Sequence, residues 1–488
     1  MNNSIKANAA LNAIKTLVNI LFPLITFKYA SEVLMADNLG KVNFSNSIIS
    51  YFVLFADFGI LTYAAREGAK YRDSRIDFES FSSEIMTINL ISVMLSYAML
   101  VILILTWGKL DSYKWILIVQ SFIIVFTALG ATWINTAYED FKSLLYRSLF
   151  VQVVSLILLF VLVRKQDDYL EYALISVIAQ SGGYLLNFFY LKKYRKFGFS
   201  FSASILRHLK PLLIIFCTSV AVTVYVNSDI TMIGLYRTDK DVALYTVAVK
   251  IYTVIKAIFS AILLVEIPRL TSLYYNNDLQ SFQRLALDTI KYLMVLIIPV
   301  IVLSYLLSQD LILFISTEEY LDANLTFQVL CIAIAASLFA TFLTNVLILP
   351  QGLEIGSLYA TLISAALNVI LNMLFIPYMG IIGAAYTTVI AETSVCAILY
   401  FFISSRKKSS LDFIANRDAL KCFFQVLLSI IPMCILGNML MGCYENYLGR
   451  LFTLPVACGL VYIVTMLVLK NEVAAEIVKQ CVKYIKKR

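Results

Sequence analysis

The sequence predicts an all-α polytopic membrane protein with about 14 transmembrane helices. Three observations lead there. The chain has 488 residues, of which 60% are hydrophobic and only 14% charged, and its mean hydropathy is +0.83. That is far more apolar than a soluble globular chain. Apolar runs of about 20 residues, the length of helix that crosses roughly 30 Å of hydrocarbon, recur from end to end. The alternating segments of about ten residues that a transmembrane barrel needs are absent.

The spans fall at 11–34, 42–65, 83–106, 114–138, 145–163, 170–190, 211–235, 243–267, 287–307, 324–349, 357–376, 382–404, 421–441 and 453–470. An even number places both termini on one side. When residues at span edges are counted with the adjoining loop, 26 lysines and arginines lie on the side of the termini and 8 on the other. The positive-inside rule then makes that side cytoplasmic. The first span is too long and too interrupted by polar residues to read as a cleavable signal.

The net charge of +8 follows from topology. Clusters such as Lys192, Lys193, Arg195 and Lys196, or Lys486, Lys487 and Arg488, face anionic lipid on the cytoplasmic side and call for no nucleic acid. The eight cysteines form no paired framework or metal spacing, and His208 stands alone in a cytoplasmic loop. With no His/Cys/carboxylate cluster and no nucleotide-binding loop, the sequence calls for no metal and no cofactor and offers little to an enzyme.

The informative residues are charges inside the spans. Lys15, Lys28, Lys250 and Lys256 lie in stretches otherwise fit for a bilayer. A charge near a bilayer centre costs roughly 2.5–3.5 kcal/mol on insertion scales, so such residues usually face protein or a water-filled path. In the first span Asn8, Asn12, Lys15 and Asn19 share one helical face, and Pro23 then removes a backbone hydrogen bond. Lys28 has Glu32 four residues on, which offers it a local partner. Among the acids, Asp57, Asp229 and Glu392 lie deepest and are the candidates for gating or for coupling to a proton or sodium ion, with Glu32 beside them.

A shift of 203 residues lays Asn43, Ser47, Ser50 and Asp57 of the second span on Thr246, Lys250, Thr253 and Ser260 of the eighth. A six-span repeat keeps membrane orientation, so two parallel halves are expected, 1–200 and 201–405, with the last two spans and a basic tail at 406–488. The cavity between them would carry Lys15, Asn12, Asn19, Lys250 and Lys256, with Lys28 a lesser candidate. Cations, amides and tyrosines together suit a phosphate joined to sugars.

The stretch Asp57-Phe58-Gly59 through Tyr63, Arg66 and Glu67, with Trp133 and Glu139-Asp140-Phe141, resembles the Wzx-type polysaccharide biosynthesis transporters. In the second half Ser228-Asp229, Met232-Ile233-Gly234, Tyr245, Lys250, Pro268-Arg269, Asn368, Asn372, Pro377, Gly380, Gly383-Ala384-Ala385 and Glu392 continue that pattern. The resemblance covers about the first 405 residues. It implies the multidrug/oligosaccharidyl-lipid/polysaccharide exporter fold, with two six-helix lobes, a central cationic cavity and two added helices. It also implies a flippase for an undecaprenyl-diphosphate-linked oligosaccharide, such as an O-antigen repeat unit in lipopolysaccharide biosynthesis. The partners implied are that lipid-linked oligosaccharide diphosphate, membrane lipid, H+ or Na+, a polysaccharide polymerase and a chain-length regulator. One departure is that Lys28 and Glu32 flank Tyr29 where family members often carry proline and arginine. The competing readings are a multidrug or cation exporter of the same superfamily and a membrane glycan polymerase or ligase. The intramembrane lysines disfavour the first, and the short outer loops disfavour the second.

Overall fold

The computed structural model describes residues 2–194, 198–407 and 416–485, with side chains from Phe22 onward except 407, 481, 484 and 485. All regular elements among the described residues are helical. Twelve helical segments are long and apolar enough to cross a membrane. Two of them are broken in mid-course, Asn2–Asp57 at Met35 and Glu354–Lys407 at Gly380. That makes fourteen membrane-length helices among the described residues, the number expected.

The two breaks have different origins. Pro377 lacks the N–H that would continue the helix, and three residues later Gly380 takes φ 59, ψ −138, a conformation only glycine adopts cheaply. Met35 sits at φ 62, ψ 173 with no proline or glycine to ease it. A side chain in this region costs roughly 1–2 kcal/mol, which the packing of Leu34 and Ala36, both fully buried, must offset.

Two expected spans are shorter than the sequence suggests. The span at 42–65 ends at Asp57, because Phe58 and Gly59 both take positive φ, 47° and 79°, and turn the chain into a separate short helix, Ile60–Gly68. The span at 114–138 likewise ends at Gly130, and Ala131 at φ 37 leads into Trp133–Ala137. Their apolar residues pack on the start of Arg75–Thr106 as a cover: Tyr63, Trp133 and Ile134 form one buried cluster with Phe78, Phe81 and Ile85. Hydropathy could not distinguish this cover from membrane helix, since both are apolar.

By its internal contacts the chain divides into two compact units, Met1–Ala243 and Leu244–Arg488. In the first unit, polar side chains of neighbouring helices bond the backbone of helix 36–57. Asn89 donates to Ala56 O at 2.9 Å, Ser96 to Phe52 O at 2.7 Å and Gln120 to Val42 O at 3.1 Å. Bonds of this kind join helices where lipid offers no alternative partner. In the second unit, Arg417–Met441 and Tyr447–Val468 pack with Leu279–Leu306 around Val295, Val426, Met433, Cys458 and Tyr462. Arg450 grips Asp310 there, its Nη2 2.7 Å from Oδ1 and its Nε 3.0 Å from Oδ2. Large apolar side chains such as Leu105, Val265, Phe401 and Val468 stay exposed on the outside, as helices solvated by lipid require.

Candidate functional site: charged groups within the spans

The second unit contains the clearest constellation. On the helix Asp239–Tyr275, Tyr245, Tyr252 and Lys256 are spaced by 7 and 4 and share a face. That face meets helix 381–407. The Tyr245 hydroxyl lies 3.2 Å from Thr388 Oγ1. One turn further on, Glu392 Oε1 accepts from Tyr252 at 2.7 Å and from the Lys256 ammonium at 3.1 Å. Glu392 is only 4% exposed, whereas the Lys256 side chain keeps 31%. A buried carboxylate is thus neutralised by a lysine that still opens outward.

The pattern residues around this pair are structural rungs. Asn372 donates to Asn368 Oδ1 at 3.1 Å and accepts from the Thr387 hydroxyl, while Ser364 and Ser394 are 2.6 Å apart. These bonds clamp helix 354–379 to helix 381–407. Lys250 lies on a different face from Tyr252, together with Thr246 and Thr253, and is half-buried. The sequence grouped Lys250 with Lys256; the structure pairs Lys256 with Glu392 and sets Lys250 on another face of the helix.

In the first unit, Lys28 and Glu32 form the local pair their spacing suggested, at 3.2 Å. Asp57 does work for its own backbone: its Oδ1 accepts from Leu61 N at 3.2 Å across the Phe58-Gly59 turn. Its carboxylate also lines an open cleft with about 460 Å³ of empty space, with Asn89, Thr132, Trp133 and Tyr184 around it. Asp229 is buried, and two residues on Thr231 donates to Ser47 at 3.0 Å. Asn12, Lys15 and Asn19 lie outside the residues whose side chains are described.

One functional-looking group was missed. His208 is not alone in a loop: it is 4% exposed, inside the helix Leu206–Tyr236. Its Nε2 lies 2.7 Å from Glu84 Oε2 and its Nδ1 2.7 Å from the Tyr63 hydroxyl. Arg207 at 2.8 Å and Ser204 at 2.6 Å complete the ring around Glu84. Beside it, outside the spans, Asp140 Oδ2 accepts from Tyr190 and Tyr194 at 2.8 Å each. Burial pushes that carboxyl up, but hydrogen bonds from Ser143, Tyr194 and Tyr190 outweigh it and hold the group below the usual aspartate range. Tyr63, Trp133 and Asp140, all part of the family-like pattern, build and border this cover.

Taken together these features define a multi-pass helical membrane protein with charged and amide groups inside its spans. The family model described as "Polysaccharide biosynthesis protein" matches residues 5–274, and the chain belongs to that family. Among solved structures, the lipid II flippase MurJ in its inward closed conformation is similar with a TM-score of 0.74 at 17% identity, over 96% of this chain and 99% of its own. An inward-facing multidrug resistance MATE transporter of the MOP superfamily gives 0.62 at 15%, over 82% and 98%. A MOP superfamily transporter from Pyrococcus furiosus gives 0.50 at 16%, over 81% and 94%. The fold is the one those transporters share. No curated protein matches the chain.

Proposed function

We propose that this chain is a flippase. It carries an undecaprenyl-diphosphate-linked oligosaccharide, such as an O-antigen repeat unit, from the cytoplasmic to the periplasmic leaflet of the inner membrane by alternating access. The observation that carries the reading is the placement of Lys250 and Lys256 well inside one membrane helix of a polysaccharide-biosynthesis chain. Cations there are costly unless something anionic uses them. A diphosphate does so while its lipid tail remains in the bilayer.

In this reading Lys250 and Lys15 receive the diphosphate, and Asn12 and Asn19 hydrogen-bond sugar hydroxyls. Lys256 alternates between Glu392 and the substrate. When the coupling ion engages Glu392 the attraction weakens and Lys256 is released to the diphosphate; when the substrate leaves, the pair closes again. That exchange is the route by which a proton or sodium gradient biases the cycle, with Asp57, Asp229 and Glu32 as further candidates for coupling or gating. A polymerase and a chain-length regulator would take up the delivered unit.

Proteoliposomes containing a fluorescent lipid-linked oligosaccharide diphosphate test this. Lys250→Gln is expected to slow translocation at least tenfold with insertion unchanged. The alternative exporter reading predicts transport of a cationic dye instead, and normal glycan flipping by the lysine variants would end the assignment.

A further inference from the structure

A second charged site lies apart from those residues. Lys291 on Leu279–Leu306 is 8% exposed, and the described side chains give its ammonium no ion pair or hydrogen bond. Asp288, one turn back, acts on it only at longer range. Lys291 is nevertheless not among the fully sealed orphan groups. It borders a half-open pocket, which Lys421, Lys470, Asp418 and Glu472 also line. The floor is pre-set: Asn471 donates to Gln425 Oε1 at 2.7 Å, and Gln425 donates to Leu469 O at 2.7 Å. These amides satisfy each other, so they hold the pocket's shape without neutralising Lys291.

We propose that this pocket binds the headgroup of a membrane phospholipid bearing a phosphate and a primary ammonium, as in phosphatidylethanolamine. Three features select that chemistry. The pocket sits where Arg417–Met441 begins, Tyr447–Val468 ends and Glu472–Ile485 begins, at the end of the bundle that the lysine and arginine distribution makes cytoplasmic, so lipid headgroups surround it. Its charges are mixed: three lysines face two carboxylates, and Asp288, Arg284 and Glu476 nearby leave the neighbourhood close to neutral. A purely anionic ligand would meet the carboxylates, whereas a zwitterion satisfies both signs, its phosphate on Lys291 and Lys421 and its ammonium on Asp418 and Glu472. The pocket is half-open and encloses little room, so it suits a small headgroup lying across its mouth and not an oligosaccharide. Basic pockets at the cytoplasmic ends of helices are a known way to hold lipid heads.

Native mass spectrometry of the full-length protein, with defined phosphatidylethanolamine, phosphatidylcholine or phosphatidylglycerol, tests this. Retention of phosphatidylethanolamine is expected to exceed that of the other two about fivefold, the scale of one net hydrogen bond from its ammonium to a carboxylate. Lys291→Met should lower retention of all three lipids about fivefold, the scale of one lysine at a membrane surface, and so should Lys421→Gln at an exposed position. Glu472→Gln should move the preference toward phosphatidylglycerol. Equal retention of the three lipids by the wild type, or retention unchanged in Lys291→Met and Lys421→Gln, would overturn the proposal. Binding of acyl-free glycerophosphoethanolamine as tight as that of the lipid would overturn the membrane source.

Discussion

The ammonium of Lys256 lies 3.1 Å from Oε1 of Glu392, across 136 residues of sequence, and Tyr252 donates to that same oxygen at 2.7 Å. Each partner is costly alone. Glu392 is almost fully enclosed, and a carboxylate there without a cation would be an uncompensated buried charge.

The pair should therefore show strong coupling. Lys256→Met is expected to destabilise the protein by about 3–5 kcal/mol, the usual consequence of stripping one partner from a buried pair, while Lys256→Met with Glu392→Gln recovers most of that loss. Thermal unfolding in detergent across the double-mutant cycle measures it. Additive losses would show that the contact contributes little.

Asp140 gives a pH dependence. Its carboxyl titrates below the ordinary aspartate value in the folded protein, so its stabilisation is complete above about pH 4, the unfolded value, and is lost as pH falls through the lower folded value. Asp140→Asn should lower the melting temperature at pH 7 and leave it less sensitive to acid than the wild type. The expected contribution is about 1 kcal/mol. Parallel melting curves from pH 7 to pH 3 for the two proteins would contradict it.

The His208 network should behave as a structural clamp. His208→Leu leaves Glu84, 5% exposed, with Arg207 and Ser204 but without the imidazole, and leaves the Tyr63 hydroxyl short of a partner. A loss of about 1–3 kcal/mol is expected. Hydrogen exchange should rise in Ile60–Gly68 and at the start of Leu206–Tyr236 before it rises elsewhere.

Gly59 should not tolerate a side chain. It combines φ 79 with a position where a Cβ would come within 3.0 Å of Leu212 O. Gly59→Ala is expected to cost about 1–3 kcal/mol through strain and crowding. A melting temperature unchanged from wild type would show that the turn is not held there.

Much of this was legible in the sequence because bilayer thickness imposes one run length on every span. The break at Gly380 was visible from Pro377 and Gly380, and the Lys28–Glu32 pair from its spacing of four. The Lys256–Glu392 pair was not, since helical periodicity orders residues within a helix and is silent about which helix lies opposite. Met35 turns the chain without a glycine or proline to announce it. His208 looked like a loop residue because its two partners, Tyr63 and Glu84, come from distant stretches, and only their convergence makes a buried site for it. The cover built by Ile60–Gly68 and Trp133–Ala137 was merged into the spans, because these short helices continue the apolar runs that precede them.

The central claim is that cations inside the helix Asp239–Tyr275 serve an anionic lipid-linked substrate. The most direct measurement is the initial rate of flipping of a lipid-linked oligosaccharide diphosphate in proteoliposomes, compared between wild type, Lys250→Gln and Lys250→Arg. The account predicts at least a tenfold loss in Lys250→Gln and substantial recovery in Lys250→Arg, which restores the charge. Equal rates in all three proteins, at equal insertion and melting temperature, would contradict it.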